Sequence, residues 1–159
     1  VSHGDVDLLY RILVGFALAF AVGFERALRG SQAGDRTFSL IGTGSAVVAA
    51  VVGQTSPQAL AGIVTGVGFI GGGLILKGRD DTLHGVTTAA TVFAVAAVGL
   101  AVGLGHLVVG ACITVITLVT LELRYVRALS VFDAGRYRAH FRSEEDPPQR
   151  PTPGPSAKQ

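Results

Sequence analysis

From Val86 to Leu123 the chain is apolar for nearly forty residues, and no charged side chain appears before Glu122. One helix of that length would reach roughly 57 Å at 1.5 Å per residue. The hydrocarbon core of a bilayer is only about 30 Å thick. The run must therefore fold back on itself, and Gly103-Leu104-Gly105-His106 is the place where it is interrupted. That predicts two spans, about 86–103 and 106–123, joined by a tight turn.

Composition extends this reading to the whole chain. Hydrophobic residues make up 49% of the 159 residues and charged residues 15%, against roughly 25% charged in soluble domains. Mean hydropathy is +0.53, and the 22 glycines fit membrane helices, where glycine is commoner than in soluble ones. Three further apolar stretches, about 8–24, 37–53 and 59–76, are near the length a span requires. The expected fold is all-α, a polytopic membrane helix bundle with five transmembrane helices. Gly15, Ala19 and Gly23 recur every four residues in the first span, as do Gly42, Ala46 and Ala50 in the second. Each set puts a small-residue stripe on one helix face, where backbones can approach closely. Arg11 lies in the first turn of its span, near enough to the interface to snorkel. Pro57 suits the start of the third helix. The first apolar stretch lacks a signal-peptide cleavage pattern and ends in Glu25-Arg26, so it reads as a retained span. No methionine is present even at position 1, as expected where the native start is removed or the numbering begins inside the gene product.

Charge gives an independent test of topology. Arg26, Arg29 and Arg36 lie between spans one and two, and Lys77 and Arg79 lie between spans three and four. Arg124, Arg127, Arg136, Arg138 and Arg142 follow span five, whereas the turns 54–58 and 103–106 carry no Lys or Arg. Basic loops stay in the cytoplasm. Five spans bring all the basic segments to one side, with the N-terminus outside and the C-terminus cytoplasmic. Residues 1–125 thus form the transmembrane domain. Residues 126–142 read as a basic amphipathic cytoplasmic segment attracted to anionic lipid. Residues 143–159, with five of the six prolines, read as a disordered tail.

Gly62 to Thr91 gathers the most unusual residues. Gly62, Gly66, Gly68, Gly71, Gly72 and Gly73 crowd the third span, although each interior glycine costs roughly 1 kcal/mol relative to alanine in a soluble helix. A packed membrane hairpin with span four is the expectation. Thr87, Thr88 and Thr91 open span four; their hydroxyls serve either backbone carbonyls one turn earlier or a second helix, or they line a polar path. Asp80 and Asp81 could hold Mg²⁺ through carboxylate oxygens, but Lys77 and Arg79 compete, which favours a solvated loop. His84 and His106 have no partner motif and read as polar turn residues. Glu25, Arg26, Gly34, Arg36 and Thr37 flank the first cytoplasmic loop. They are either an interfacial ion-pair network, with Thr37 as helix N-cap and Arg36 as anchor, or a ligand-sensing surface. Cys112 sits inside an apolar run as a small hydrophobe. There is no nucleophile triad, no H-E-x-x-H and no phosphate-cradling glycine loop, so no enzyme, no cofactor and no metal site is expected. The basic excess follows from topology and does not imply nucleic acid.

These residues carry a resemblance to the MgtC/SapB family of bacterial inner-membrane proteins. Gly23-Phe24-Glu25-Arg26 followed by Ala33-Gly34-Asp35-Arg36-Thr37 is similar to that family's G-x-E-R and A-G-x-R-T pattern. Val64 to Gly73 resembles V-S-G-I-G-F-(L or I)-G-A-G, and Gly85 to Thr91 resembles G-L-T-T-A-A-T. Asp35 and Phe93 depart from the common Leu and Trp at those places. The resemblance covers about residues 8–125, and the chain looks like a short member without the family's C-terminal ACT-like domain, or a truncation of a longer one.

What the resemblance implies is a multi-pass inner-membrane protein linked to magnesium homeostasis, stress or virulence. It implies action through helix–helix contacts with membrane partners, the ATP synthase among them, or through self-association. The residues expected to matter are Glu25, Arg26, Gly34, Arg36, Thr37, Gly66, Gly68, Phe69, Gly71, Gly72, Thr87 and Thr88. The rival expectation is a small Mg²⁺ or other cation transporter, with its path between spans three and four.

Overall fold

The computed structural model describes residues 3–53, 55–77 and 83–122. The chain divides into two units, Val1–Thr120 and Leu121–Gln159; of the second, only residues 121 and 122 are among those described. Arg79, Asp80, Asp81, Tyr125, the 126–142 segment and the 143–159 tail lie outside the described residues.

Five helices are present among the described residues: α1 His3–Leu28, α2 Asp35–Val52, α3 Pro57–Gly73, α4 Val86–Gly103 and α5 Leu107–Glu122. A two-residue antiparallel ladder, β1 Leu76–Lys77 with β2 Leu83–His84, links α3 to α4 and pairs Leu76 with His84. This ladder replaces part of the expected solvated loop, and it ends α3 at Gly73 rather than near Leu76. Helix α1 is longer than its expected apolar span because Asp5 and Arg26 sit in its first and last turns, where their charges complement the helix macrodipole.

Two helices end by the same device. Gly30 (φ +67°) and Gly105 (φ +93°) adopt left-handed backbone just past α1 and α4. Ser31 N–H then reaches the Arg26 carbonyl at 3.0 Å, and His106 N–H reaches that of Ala101 at 2.8 Å. These Schellman closures satisfy carbonyls that a helix end otherwise leaves bare. The second is the turn expected within Gly103-Leu104-Gly105-His106. Pro57 takes the start of α3, as expected.

The centre of the first unit is the junction of α1, α2 and α4. Small residues line it from both sides. A methyl group on Gly15 would lie 2.9 Å from Ala46 Cβ, and one on Gly23 2.9 Å from Phe38 Cβ. A methyl on Gly42 would collide with Ala19 Cβ, and one on Gly99 with the Gly42 carbonyl. The stripes Gly15/Ala19/Gly23 and Gly42/Ala46 are therefore the surfaces on which α1 and α2 meet, with α4 closing over them. Val22, Phe38, Val92, Val95, Val98 and Val102 are fully buried around this junction.

The other two helices are less enclosed. On α3 only Val67 and Gly71 are buried, and a methyl at Gly71 would stand 3.7 Å from Ala89 Cβ of α4. Helix α5 approaches α4 at Gly110, beside Val102. Its Thr114 is buried and bonds to the Gly110 carbonyl at 2.9 Å.

Large apolar side chains face outward all over the unit, including Leu13, Leu40, Phe69, Val108 and Ile116. Outward apolar surface on that scale marks a membrane or partner environment. Gly4–Leu28 and Val86–Gly103 are long and apolar enough to cross a bilayer, and Leu107–Glu122 is a shorter apolar helix. The described residues form a helical bundle in which two helices have the length and composition of membrane spans.

Candidate functional site

The structure gathers the α1–α2 loop and the α3–α4 connection at one end of the helices. Ser31 Oγ and Thr88 Oγ1 lie 3.2 Å apart, a hydroxyl contact that ties the loop to the first turn of α4. A methyl on Gly85 would lie 3.3 Å from Gln32 Oε1 and would collide with the Leu74 carbonyl. Ala33 is buried, and Gly34 packs over Ala27, whose Cβ a methyl would approach to 3.3 Å.

At the opposite end, Arg11 Nη1 donates to the Gly103 carbonyl at 3.3 Å and also pairs with Asp7. The cation thus faces the negative end of α4, a favourable placement. This locking role goes beyond the expected snorkelling. The position of Arg11 in the sequence hinted at an interface, but nothing local pointed to a partner 92 residues away.

Glu25 lies in the last turn of α1 with its side chain only 12% exposed. Its carboxylate stands 3.4 Å from Arg29 Nε and 3.8 Å from Arg26 Nη1. Among the described residues neither oxygen accepts a hydrogen bond, and Arg26 Nε likewise lacks one. These ion pairs all lie within α1 and the residue just past its end, so they do not themselves join the end of α1 to the start of α2. The pairs are held by charge at a distance, because Arg26 is the adjacent residue and cannot swing into line. Thr43 Oγ1 on α2 is also buried without a hydrogen bond; a lone threonine in an apolar helix carries no signal that would have singled it out.

Thr37 does not cap α2. The helix begins at Asp35 with Gly34 at the cap and no side-chain cap bond, and Thr37 is exposed on its first turn. Asp35 explains the earlier start, since a carboxylate in the first turn is favoured by the macrodipole. Arg36 is exposed beside it. Thr91 Oγ1 bonds to the Thr87 carbonyl at 2.7 Å, one of the roles expected for the threonines, while Thr88 meets Ser31 of the α1–α2 loop rather than a second helix.

The expected hairpin of α3 on α4 is only partly formed. Gly71 packs on Ala89, yet methyl groups at Gly62, Gly66, Gly68, Gly72 or Gly73 would meet nothing within 4 Å among the described residues. Phe69, on the same helix, is 85% exposed. Beside this face an open groove of about 630 Å³ runs between α2 and α3, bounded by Leu40, Gly44, Val48, Ile63, Gly66 and Phe69. Of the residues singled out in the sequence, Glu25, Arg26, Gly34 and Thr88 come together at the loop end. Gly66, Gly68, Gly72 and Phe69 lie apart from them on an uncovered helix.

Comparison with known proteins places the sequence in a family. Residues 12–128 match the MgtC family. A YhiD protein of Escherichia coli strain K12, whose name carries a provisional magnesium-transporter assignment, is 38% identical over 130 residues, covering 74% of this chain and 60% of the relative. SrpB of Synechococcus elongatus is 34% identical over 141 residues, covering 77% and 78%. MgtC of Brucella abortus is 41% identical over 95 residues, covering 57% of this chain and 40% of the relative. The chain thus spans about 60% of the Escherichia coli relative and less of the Brucella one. No solved structure matches. This helical membrane protein belongs to the MgtC family.

Proposed function

We propose that the protein is a non-enzymatic, five-span protein of the bacterial inner membrane that serves magnesium homeostasis by binding membrane partners through α3. The carrying observation is the open glycine face of α3 beside exposed Phe69. Glycines whose faces are open among the described residues lower helix stability without a packing gain. In lipid, such a face fits closely against another helix. The magnesium link is supported by family membership and by the relatives' names. Five spans with a cytoplasmic C-terminus are supported by the basic loops and by the gathering of the α1–α2 and α3–α4 connections at one end.

The test is in-membrane crosslinking and pull-down with Gly68→Leu and Gly72→Leu. Both variants are expected to fold normally and to lose partner capture. Unchanged capture by both would remove the reading.

A cation path is the second reading. Glu25 favours it, because its buried carboxylate oxygens accept no hydrogen bond. Against it stand the Gly71–Ala89 contact in the α3–α4 seam and the apolar walls of the neighbouring groove. Mg²⁺ uptake into dye-loaded proteoliposomes, abolished by Glu25→Ala, would establish transport instead.

A further inference from the structure

A second groove lies on the opposite flank of α2, and its chemistry is unlike the first. It has a volume of about 360 Å³ and is bounded by Phe16 and Phe20 of α1 and by Asp35, Arg36, Ser39 and Leu40 of α2. The rings of Phe16, Phe20 and Phe24 stack in succession, with centroids 6.0 Å apart at each step. All three are 40–50% exposed. This aromatic rail runs about 12 Å along α1 at 1.5 Å per residue.

At one end of the rail stand two opposite charges. Asp35 and Arg36 are neighbours in sequence, yet among the described residues neither side chain makes an ion pair or a hydrogen bond. The Ser39 hydroxyl does not compete for them, because it is turned onto the Asp35 carbonyl at 2.6 Å. An apolar groove with an anion and a cation at its mouth, neither paired among the described residues, is complementary to a molecule with a fatty chain and a zwitterionic head.

We propose that this groove is a binding site for a phosphatidylethanolamine-type lipid. Its phosphate sits on the Arg36 guanidinium, its ammonium on the Asp35 carboxylate, and one acyl chain lies along Phe16, Phe20 and Leu40. Arg36 supplies the fork of donors that suits a phosphate. Asp35 makes the site selective, since a carboxylate beside the phosphate repels a purely anionic head but welcomes a primary ammonium. Lipid contacts at the end of a spanning helix place both charges at headgroup level, so the proposal rests on α1 and α2 crossing the membrane. It does not depend on which partner α3 engages.

The test is native mass spectrometry of the full chain released from detergent containing equal amounts of dioleoyl phosphatidylethanolamine and dioleoyl phosphatidylglycerol. The wild-type chain is expected to retain the ethanolamine lipid about fivefold over the glycerol lipid, the scale of one headgroup-level charge contact. Asp35→Asn is expected to abolish that preference, and Arg36→Gln to lower retention of both lipids. Phe20→Ala lowers both without changing their ratio. Soluble phosphoethanolamine, which has no chains, does not displace the lipid.

Equal retention of both lipids by the wild-type chain would overturn the proposal, as would a preference that survives Asp35→Asn. Displacement by soluble phosphoethanolamine would overturn the role of the aromatic rail. All variants are first checked for wild-type helix content and for flotation with vesicles. A chain that floats without lipid preference refutes the site alone, whereas one that fails to float refutes the membrane-spanning reading beneath it.

Discussion

Glycines of one residue type do two different jobs in this chain, and substitution separates them. At Gly99 a side chain would run into the Gly42 carbonyl and stand 2.8 Å from Ser45 Cβ. Gly99→Val should therefore destabilise the fold by about 2–3 kcal/mol, the upper range for overpacking a rigid core, read as a lower melting temperature in detergent. Gly68→Val has nothing within 4 Å to strike. It should change stability by less than about 0.5 kcal/mol, as other unobstructed surface substitutions do. A comparable loss in both variants would mean that α3 is buried in the isolated protein. The Ser31–Thr88 contact belongs to the same scale. A double-mutant cycle with Ser31→Ala and Thr88→Val should give a coupling of about 0.6 kcal/mol, typical of hydroxyl contacts between membrane helices. Additive single mutants would show that the two hydroxyls act separately. The small-residue stripes were legible in the sequence because four-residue spacing puts Gly15, Ala19 and Gly23 on one helix face. The Ser31–Thr88 contact was not, since 57 residues separate its partners and no local pattern encodes the meeting of a loop with a distant helix.

Among the helices, α2 and α4 hold the centre while α3 rests on a single row. That contrast sets an order of local stability. Backbone amides of α4 near Val95 and Val98 should exchange with solvent more slowly than those of α3 near Gly66, because opening free energy follows buried contact. Hydrogen exchange in detergent micelles measures this directly; equal protection of the two helices would contradict the packing described. Arg11 is the clasp between α1 and the far end of α4. Arg11→Gln removes a charge-assisted bond to the Gly103 carbonyl, and stability should fall by about 1 kcal/mol. Helix positions were readable from apolar length and from breakers such as Pro57 and Gly105. The β1–β2 ladder was not readable, because two residues per strand are too few to show an alternating pattern. The start of α2 was missed for a different reason. Thr37 is a common capping residue, but Gly34 can also occupy a cap and leaves Asp35 to meet the helix dipole.

For the molecule as a whole, the two ends of the first unit carry opposite signatures. One holds Glu25, Arg26, Arg29 and Ser31 with the first turn of α4; the other holds the Arg11 clasp and the Gly103–His106 turn. If the basic end is cytoplasmic, as charge bias requires, cysteines placed at these ends should label from opposite sides. In a Cys112→Ala background, His106→Cys should react with a membrane-impermeant maleimide on intact cells. Arg29→Cys should react only after lysis. Reaction of both on intact cells would invert or abolish the proposed topology. The charge map predicts this orientation from loop composition, and the labelling pair tests it. Which helix faces stay uncovered was not legible. Glycine spacing looks the same whether its face is covered or open among the described residues, as Gly15/Ala19/Gly23 and Gly68/Gly72 show.

The open face of α3 also bears on how such a chain drifts over generations. A substitution at Gly99 fails in every host, because it spoils folding wherever the protein is made. If α3 engages a partner as proposed, a substitution at Gly68 is expected to leave the fold intact and to be eliminated only where something depends on the exposed face. A lineage that lost that neighbour would therefore keep Gly42, Gly99 and Gly103 and let Gly66, Gly68 and Gly72 wander. The persistence of the second set in a genome would report the presence of a companion protein that the first set cannot reveal.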